Sequence, residues 1–173
     1  MDTIVNRVAQ SSLITLDLSE YYHHGERIVY DIAQHLYEGL ILREKEFRRF
    51  LSEHDWETYR GKNVAITCST DAIIPIWAYM LLATKLQPYA HKVIFGTLAE
   101  LENALFQDAL SKIDLTKFQD AKVVIKGCGK VPVPPFAYVE ITRLLLPYAH
   151  SIMYGEPCST VPIFKRTTEK NST

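Results

Sequence analysis

The ten residues QPYAHKVIFG at 87–96 return as LPYAHSIMYG at 146–155. Sliding the chain by 59 positions aligns 42–96 with 101–155 without a gap and leaves sixteen identities, among them Leu42/Leu101, Phe47/Phe106, Leu51/Leu110, Asp55/Asp114, Pro75/Pro134, Tyr79/Tyr138 and Gly96/Gly155. A stretch that occurs twice must be able to build the same local unit twice, which prunes the folds open to the chain. Two copies are too few for an open solenoid, which usually needs at least about three, and point instead to one pseudosymmetric domain.

Each copy has the same grammar. A charged amphipathic segment comes first, LREKEFRRFLSEH or LENALFQDALSKI, with Leu, Phe and Leu returning on one helical face. A short β-branched run follows, NVAIT or KVVIK, bounded by polar turns and read as a buried strand. Pro75 or Pro134 then opens a second helix, where a missing N–H costs nothing. Pro88 or Pro147 ends it, because the residue before proline resists the α conformation. The copy closes on KVIFG or SIMYG.

Strand, helix, strand at this spacing is a parallel crossover. The expected fold is therefore α/β and three-layered, a mostly parallel sheet built from two α-β-α-β repeats at 42–96 and 101–155. The expected strand order is 92–95, 63–67, 122–126, 151–154, with 63–67 and 122–126 side by side at the switch point. The chain is read as a single domain, 1–173, with 1–41 as an N-terminal extension and 165–173 as a flexible tail. SLITLDL alternates as an added edge strand would, whereas 21–40 reads equally as helix or strand.

Charge and composition narrow the function classes. Lys and Arg number 19 against 20 Asp and Glu, so no global basic field exists to draw nucleic acid or anionic lipid. MDTIVNRVAQSSL lacks the continuous apolar core of a signal peptide, and the apolar run 72–83 is too short to span a bilayer. A cytoplasmic protein is expected, without nucleic-acid or membrane partners. Three cysteines, an odd number, argue for reduced thiols over a disulfide framework.

Ligands of doubly wound sheets sit beyond the carboxyl ends of strands. That edge collects all three cysteines: Cys68 after strand 63–67, Cys128 after 122–126 and Cys158 after 151–154. The candidate ligand-binding residues are Cys68, Ser69, Thr70, Asp71, Gly127, Cys128, Glu156 and Cys158. Three readings compete for the thiols. Converging at adjacent strands, Cys68, Cys128 and Cys158 would form a soft site for zinc or iron, although no Cys-x-x-Cys spacing is present. Alternatively, Cys68 precedes a helix whose N-terminus would activate a thiolate, with Ser69, Thr70 and Asp71 as natural caps. In the third reading the thiols pack as small hydrophobes.

KGCGK, at 126–130, lacks either phosphate-loop fingerprint, so Gly127 and Gly129 are read as turn residues. The helix starts after Pro75 and Pro134 could still hold an anion. His91 and His150 precede their strands on the opposite edge and are read as packing or capping residues. His23 and His24 are read as an exposed loop pair. No serine-histidine-aspartate or paired-carboxylate pattern can be assembled, so no reaction is assigned.

The second helices differ between copies. PIWAYMLLATKL is apolar nearly all round, whereas PPFAYVEITRLL carries Glu140 and Arg143. A helix apolar on every side is buried on every side. The face bearing Trp77 and Leu81 is therefore expected to meet a second subunit, making a homodimer, or the N-terminal segment.

The phrases GERIVYDI, GLILREKEFR, CSTDAIIPIWAYMLL, VVIKGC and GEPCSTVP resemble a bacterial family of proteins of unknown function over nearly the whole chain. The resemblance implies an association with sulfur mobilisation for iron-sulfur assembly. A cysteine-centred metal or sulfur-handling site, with protein partners in that assembly, is then the expectation. The competing expectation is a non-catalytic homodimeric scaffold whose cysteines are structural.

Overall fold

The computed structural model describes residues 13–127 and 129–167. Residues 1–12, Cys128 and positions 168–173 of the expected tail lie outside the described residues. In chain order the elements are β1 (Leu13–Asp17), β2 (Arg27–Asp31), β3 (Leu36–Tyr37), β4 (Ile41–Leu42), α1 (Glu44–Glu53), β5 (Asn63–Thr67), α2 (Ile76–Leu86), β6 (Lys92–Phe95), α3 (Leu98–Leu110), β7 (Lys122–Lys126), α4 (Pro135–Leu145), β8 (Ser151–Glu156) and β9 (Ser159–Lys165). The protein is α/β with mostly parallel sheets.

The chain forms two compact units: a central one, His23–Leu105, and a split one made of the described residues before His23 and from Phe106 onward. The central unit holds the sheet β2-β5-β6 and the split unit holds β1-β7-β8-β9. This corrects the expected single sheet, because β5 has β2 and β6 as neighbours and β7 has β1 and β8. The cause lies in the segment 13–31. LITLD and RIVYD are both alternating strands, and each takes the place beside a middle strand that the expected order gave to the other copy. The ambiguous stretch 21–40 thus supplies β2, a short 3-10 turn and β3, which pairs antiparallel with β4.

In the central unit β5 is covered on both faces, as a parallel strand should be. Val64 and Ile66 join Phe47 and Leu51 of α1 and Ala78, Leu82 and Leu86 of α2 in one core. On the other face Ala65 and Ile94 pack against Leu101 and Leu105 of α3. Three layers follow within this unit. In the split unit Val123 and Ile125 pack with Phe106 and Leu110 of α3 and with Ala137, Ile141 and Leu145 of α4. Trimming a fully buried leucine such as Leu82 or Leu145 to alanine would cost about 2–5 kcal/mol.

Local chemistry sets the ends of these elements. Glu44 and Glu46 occupy the first turn of α1, where acids complement the helix dipole, and Glu44 pairs with Arg48 at 2.8 Å. Helices α2 and α4 start behind Pro75 and Pro134 and stop at Leu86 and Leu145, ahead of Pro88 and Pro147. Four 3-10 turns each begin with an aspartate whose carboxylate accepts the N–H two residues on: Asp17 from Ser19, Asp31 from Ala33, Asp55 from Glu57 and Asp114 from Thr116. Among the described residues no helix is long and apolar enough to cross a membrane.

Candidate functional site

At the carboxyl edge of the central sheet, β2 ends in Asp31 and β5 leads into Cys68 and Ser69. Asp31 Oδ1 accepts the N–H groups of Ala33 and Ser69, each at 3.0 Å, and Oδ2 accepts the Ser69 hydroxyl. The Ser69 hydroxyl, helped by the two N–H groups, holds the Asp31 carboxyl below its usual range. Cys68 is half-buried against the core, and its Sγ donates to the Thr70 carbonyl at 3.4 Å, with the Thr70 hydroxyl at 3.5 Å. Tyr79, on α2, has its hydroxyl pushed up by burial and by the negative charge that Cys68 and Asp31 can carry. Its ring meets Phe95 edge-on at 5.0 Å.

Helix α2 begins only at Ile76, and its N-cap, Pro75, makes no side-chain bond. Ser69 and Thr70 are therefore spent elsewhere, on Asp31 and Cys68, and Asp71 is exposed. Cys68 stands eight positions ahead of the helix.

The split unit arranges the same edge with different chemistry. Lys126, at the end of β7, lies between Glu156 at 3.4 Å and Asp17 at 4.0 Å. Gly127, which aligns with Cys68, gives its side-chain space to Tyr138: a Cβ there would collide with the Tyr138 hydroxyl. Tyr138 meets Tyr154 edge-on at 5.8 Å, as Tyr79 meets Phe95. Cys158 is exposed in the turn between β8 and β9. Beside α4 a cavity of about 390 Å³ is lined by Pro135, Tyr138, Val139, Thr142, Tyr154 and Ile163. None of its lining side chains is charged.

Of the expected site residues, the central unit brings together Cys68, Ser69 and Thr70, with Asp71 exposed beside them. Gly127, Glu156 and Cys158 belong to the split unit. The route by which Cys68 and Cys128 were to become neighbours required β5 beside β7, which the sheets do not have. Among the described residues no group of three or more His, Cys, Asp or Glu is placed to hold a metal ion.

Sequence reasoning passed over Asp17 and Asp31. Their signal was the shared pattern of LITLDL and RIVYDI, which places one aspartate at the end of each first strand. On the opposite edge of the central sheet, where His91 was read as a packing or capping residue, it passed over Asn63, Arg27 and Glu102. There Asn63 is fully buried and bonds His23 Nδ1 at 3.0 Å, His23 stacks on His91, and Arg27 bonds Glu102. His91 and His150 keep matching backbone roles, donating to the Lys62 and Ala121 carbonyls at 2.8 Å.

Two compact α/β units, each with polar residues at the carboxyl edge of its sheet, and an apolar cavity beside α4 describe the architecture. A family model described as "Protein of unknown function (DUF2480)" matches residues 2–166, and the chain belongs to that family. A search of curated proteins and a search of solved structures each found no match.

Proposed function

We propose that this is a non-catalytic interaction protein that works as a homodimer joined through its central unit. One observation supports this above the others. Ile76 and Met80, one turn apart on α2, are 72% and 65% exposed, and Phe95, at the end of β6, is 69% exposed. Ile73, just ahead of the helix, is barer still. Large apolar side chains left in water together mark an interaction surface.

The face expected to dimerise is shifted by this reading. Trp77 and Leu81 are half-buried against the central unit's own core, so the bare stripe is the neighbouring one, Ile76 and Met80. Light scattering over a wide concentration range tests the reading. A dimeric mass that M80E converts to monomer is expected, and a monomer at every concentration overturns it.

A second reading, metal or sulfur handling accessory to iron-sulfur assembly, draws on the exposure of Cys158 at the carboxyl edge of the sheet that holds β7. Metal and acid-labile sulfide in protein purified without oxygen would favour it.

A further inference from the structure

We propose that a second cavity, in the split unit, binds a small planar aromatic molecule that carries an anionic group. The cavity has a volume of about 340 Å³ and is lined by Tyr21, Ala109, Ile113 and Phe118, together with Lys112 and Lys117. All of these residues belong to the split unit, so the inference stands apart from the self-association proposed above.

The central unit shows what this corner holds when the chain fills it from its own sequence. By the 59-position correspondence Phe50 matches Ala109, His54 matches Ile113, Trp56 matches Leu115 and Tyr59 matches Phe118. The local frame is the same in both units, because Asp55 and Asp114 each open a 3-10 turn, Trp56–Tyr59 and Leu115–Phe118. Tyr21 and His35 likewise end the turns that Asp17 and Asp31 open. In the central unit the Phe50 ring lies 4.2 Å from that of His35 and 4.9 Å from that of His54, with Trp56 edge-on at 6.1 Å. The split unit puts Ala109, Ile113 and Leu115 in place of those three rings. Ala109, standing where Phe50 does, then lines a cavity beside Tyr21.

The walls suit a ring. Tyr21 and Phe118 offer aromatic surface, on which another ring packs better than an aliphatic chain. The volume lies within the range of about 300–1,000 Å³ over which proteins hold small molecules. The anionic group follows from charge. Two ammonium groups, on Lys112 and Lys117, stand against one lining carboxylate, Asp114, whose Oδ1 already accepts the Thr116 N–H and hydroxyl. Burial, and then Glu20, push the Tyr21 hydroxyl up, which keeps it a proton donor. The cavity beside α4, with no charged lining side chain, is the internal control.

The test is amide NMR of the full chain titrated with naphthoate, naphthyl phosphate and the uncharged naphthamide. Both anions are expected to shift the Ala109, Ile113 and Phe118 signals, with naphthamide binding about tenfold more weakly. The tighter of the two anions identifies the charged group as carboxylate or phosphate. A109F, which installs the ring that Phe50 supplies in the central unit, should abolish the shifts. K112Q/K117Q changes two exposed side chains, leaves the fold intact and should bring both anions down to the affinity of naphthamide; it carries the test should A109F fail to fold. No shift at those signals, shifts that persist in folded A109F, or anion affinity undiminished in K112Q/K117Q would each overturn the inference. So would naphthamide binding as tightly as the anions, or shifts confined to Val139 and Thr142, because the ring would then have chosen the uncharged cavity.

Discussion

His23 lies flat over His91, with ring centroids 3.8 Å apart and planes within 12°. The Nδ1 atom of His23 accepts hydrogen bonds from the Gly25 N–H at 3.1 Å and the Asn63 amide at 3.0 Å, which assigns its proton to Nε2. Protonating Nδ1 would end both bonds and set a second cation against His91 and Arg27. Burial first, then His91, Arg27 and His24, hold His23 below its usual 6.5, with Glu102 opposing. His35 is held down in the same way by burial and by His54, and its Nε2 shares a hydrogen bond with the Tyr30 hydroxyl, 2.7 Å away.

Both histidines belong to the central unit, so acid should weaken that unit. The sign follows from linkage. A base depressed in the folded state takes up its proton more readily unfolded, so its stabilisation is whole above 6.5 and is lost as pH falls below it. Hydrogen exchange between about pH 7 and about pH 5 should show β2 and β5 amides losing protection before those of β7 and β8. H91Q should reduce the loss in the central unit. Equal loss in both units would contradict the assignment.

How much of this was legible beforehand depended on the kind of signal. Proline punctuation and β-branched runs placed α2, α4, β5, β6, β7 and β8, because those signals act within a few residues. Sheet membership was not legible, since LITLD and RIVYD compete for the same kind of partner and local pattern does not say which middle strand each will join. The site was legible in part. Ser69 and Thr70 were picked out as polar residues at the right edge, but their real partner, Asp31, is 38 positions from Ser69. His23 lies in a loop as read, but it is half-buried rather than exposed, because its partners, Asn63 and His91, lie 40 or more positions away.

Gly127 and Tyr138 give a prediction with an internal control. G127A should destabilise the split unit by about 1–3 kcal/mol, since the new methyl competes with the Tyr138 hydroxyl for one space. Y138F withdraws the colliding oxygen, so the double variant should recover much of the loss. Denaturant titration of the four proteins in a double-mutant cycle measures the coupling. Strictly additive effects would show that the two residues do not meet.

Asp31 anchors the turn after β2 and the loop after β5 at once. D31A should cost about 1–2 kcal/mol through the lost cap alone, with a further loss from freeing Ser69. D31N keeps the shape but weakens the acceptor, and should fall between wild type and D31A in thermal unfolding. The carboxyl is depressed in the folded state, so its contribution is whole above its usual 3.8 and fades as pH drops below that value. S69A should shrink this acid-side loss, because the Ser69 hydroxyl is the main cause of the depression.

The thiols separate the scaffold reading from its rival. Cys158 is exposed in its turn, whereas Cys68 is half-buried and donates to the Thr70 carbonyl. In a C128S background, native titration with a chromogenic disulfide should therefore show a fast phase that C158S abolishes and a slower one that C68S abolishes, with the two remaining thiols reacting at once after unfolding. Under the scaffold reading C158S leaves mass, fold and dimer unchanged, because that side chain has no packing role. Protein purified without oxygen that holds metal in near-stoichiometric amount, shields Cys158 from the reagent, and loses both properties in C158S would move the function to metal or sulfur handling. Agreement of the thiol phases with burial, together with a C158S protein of unchanged mass, would favour the scaffold reading over its rival.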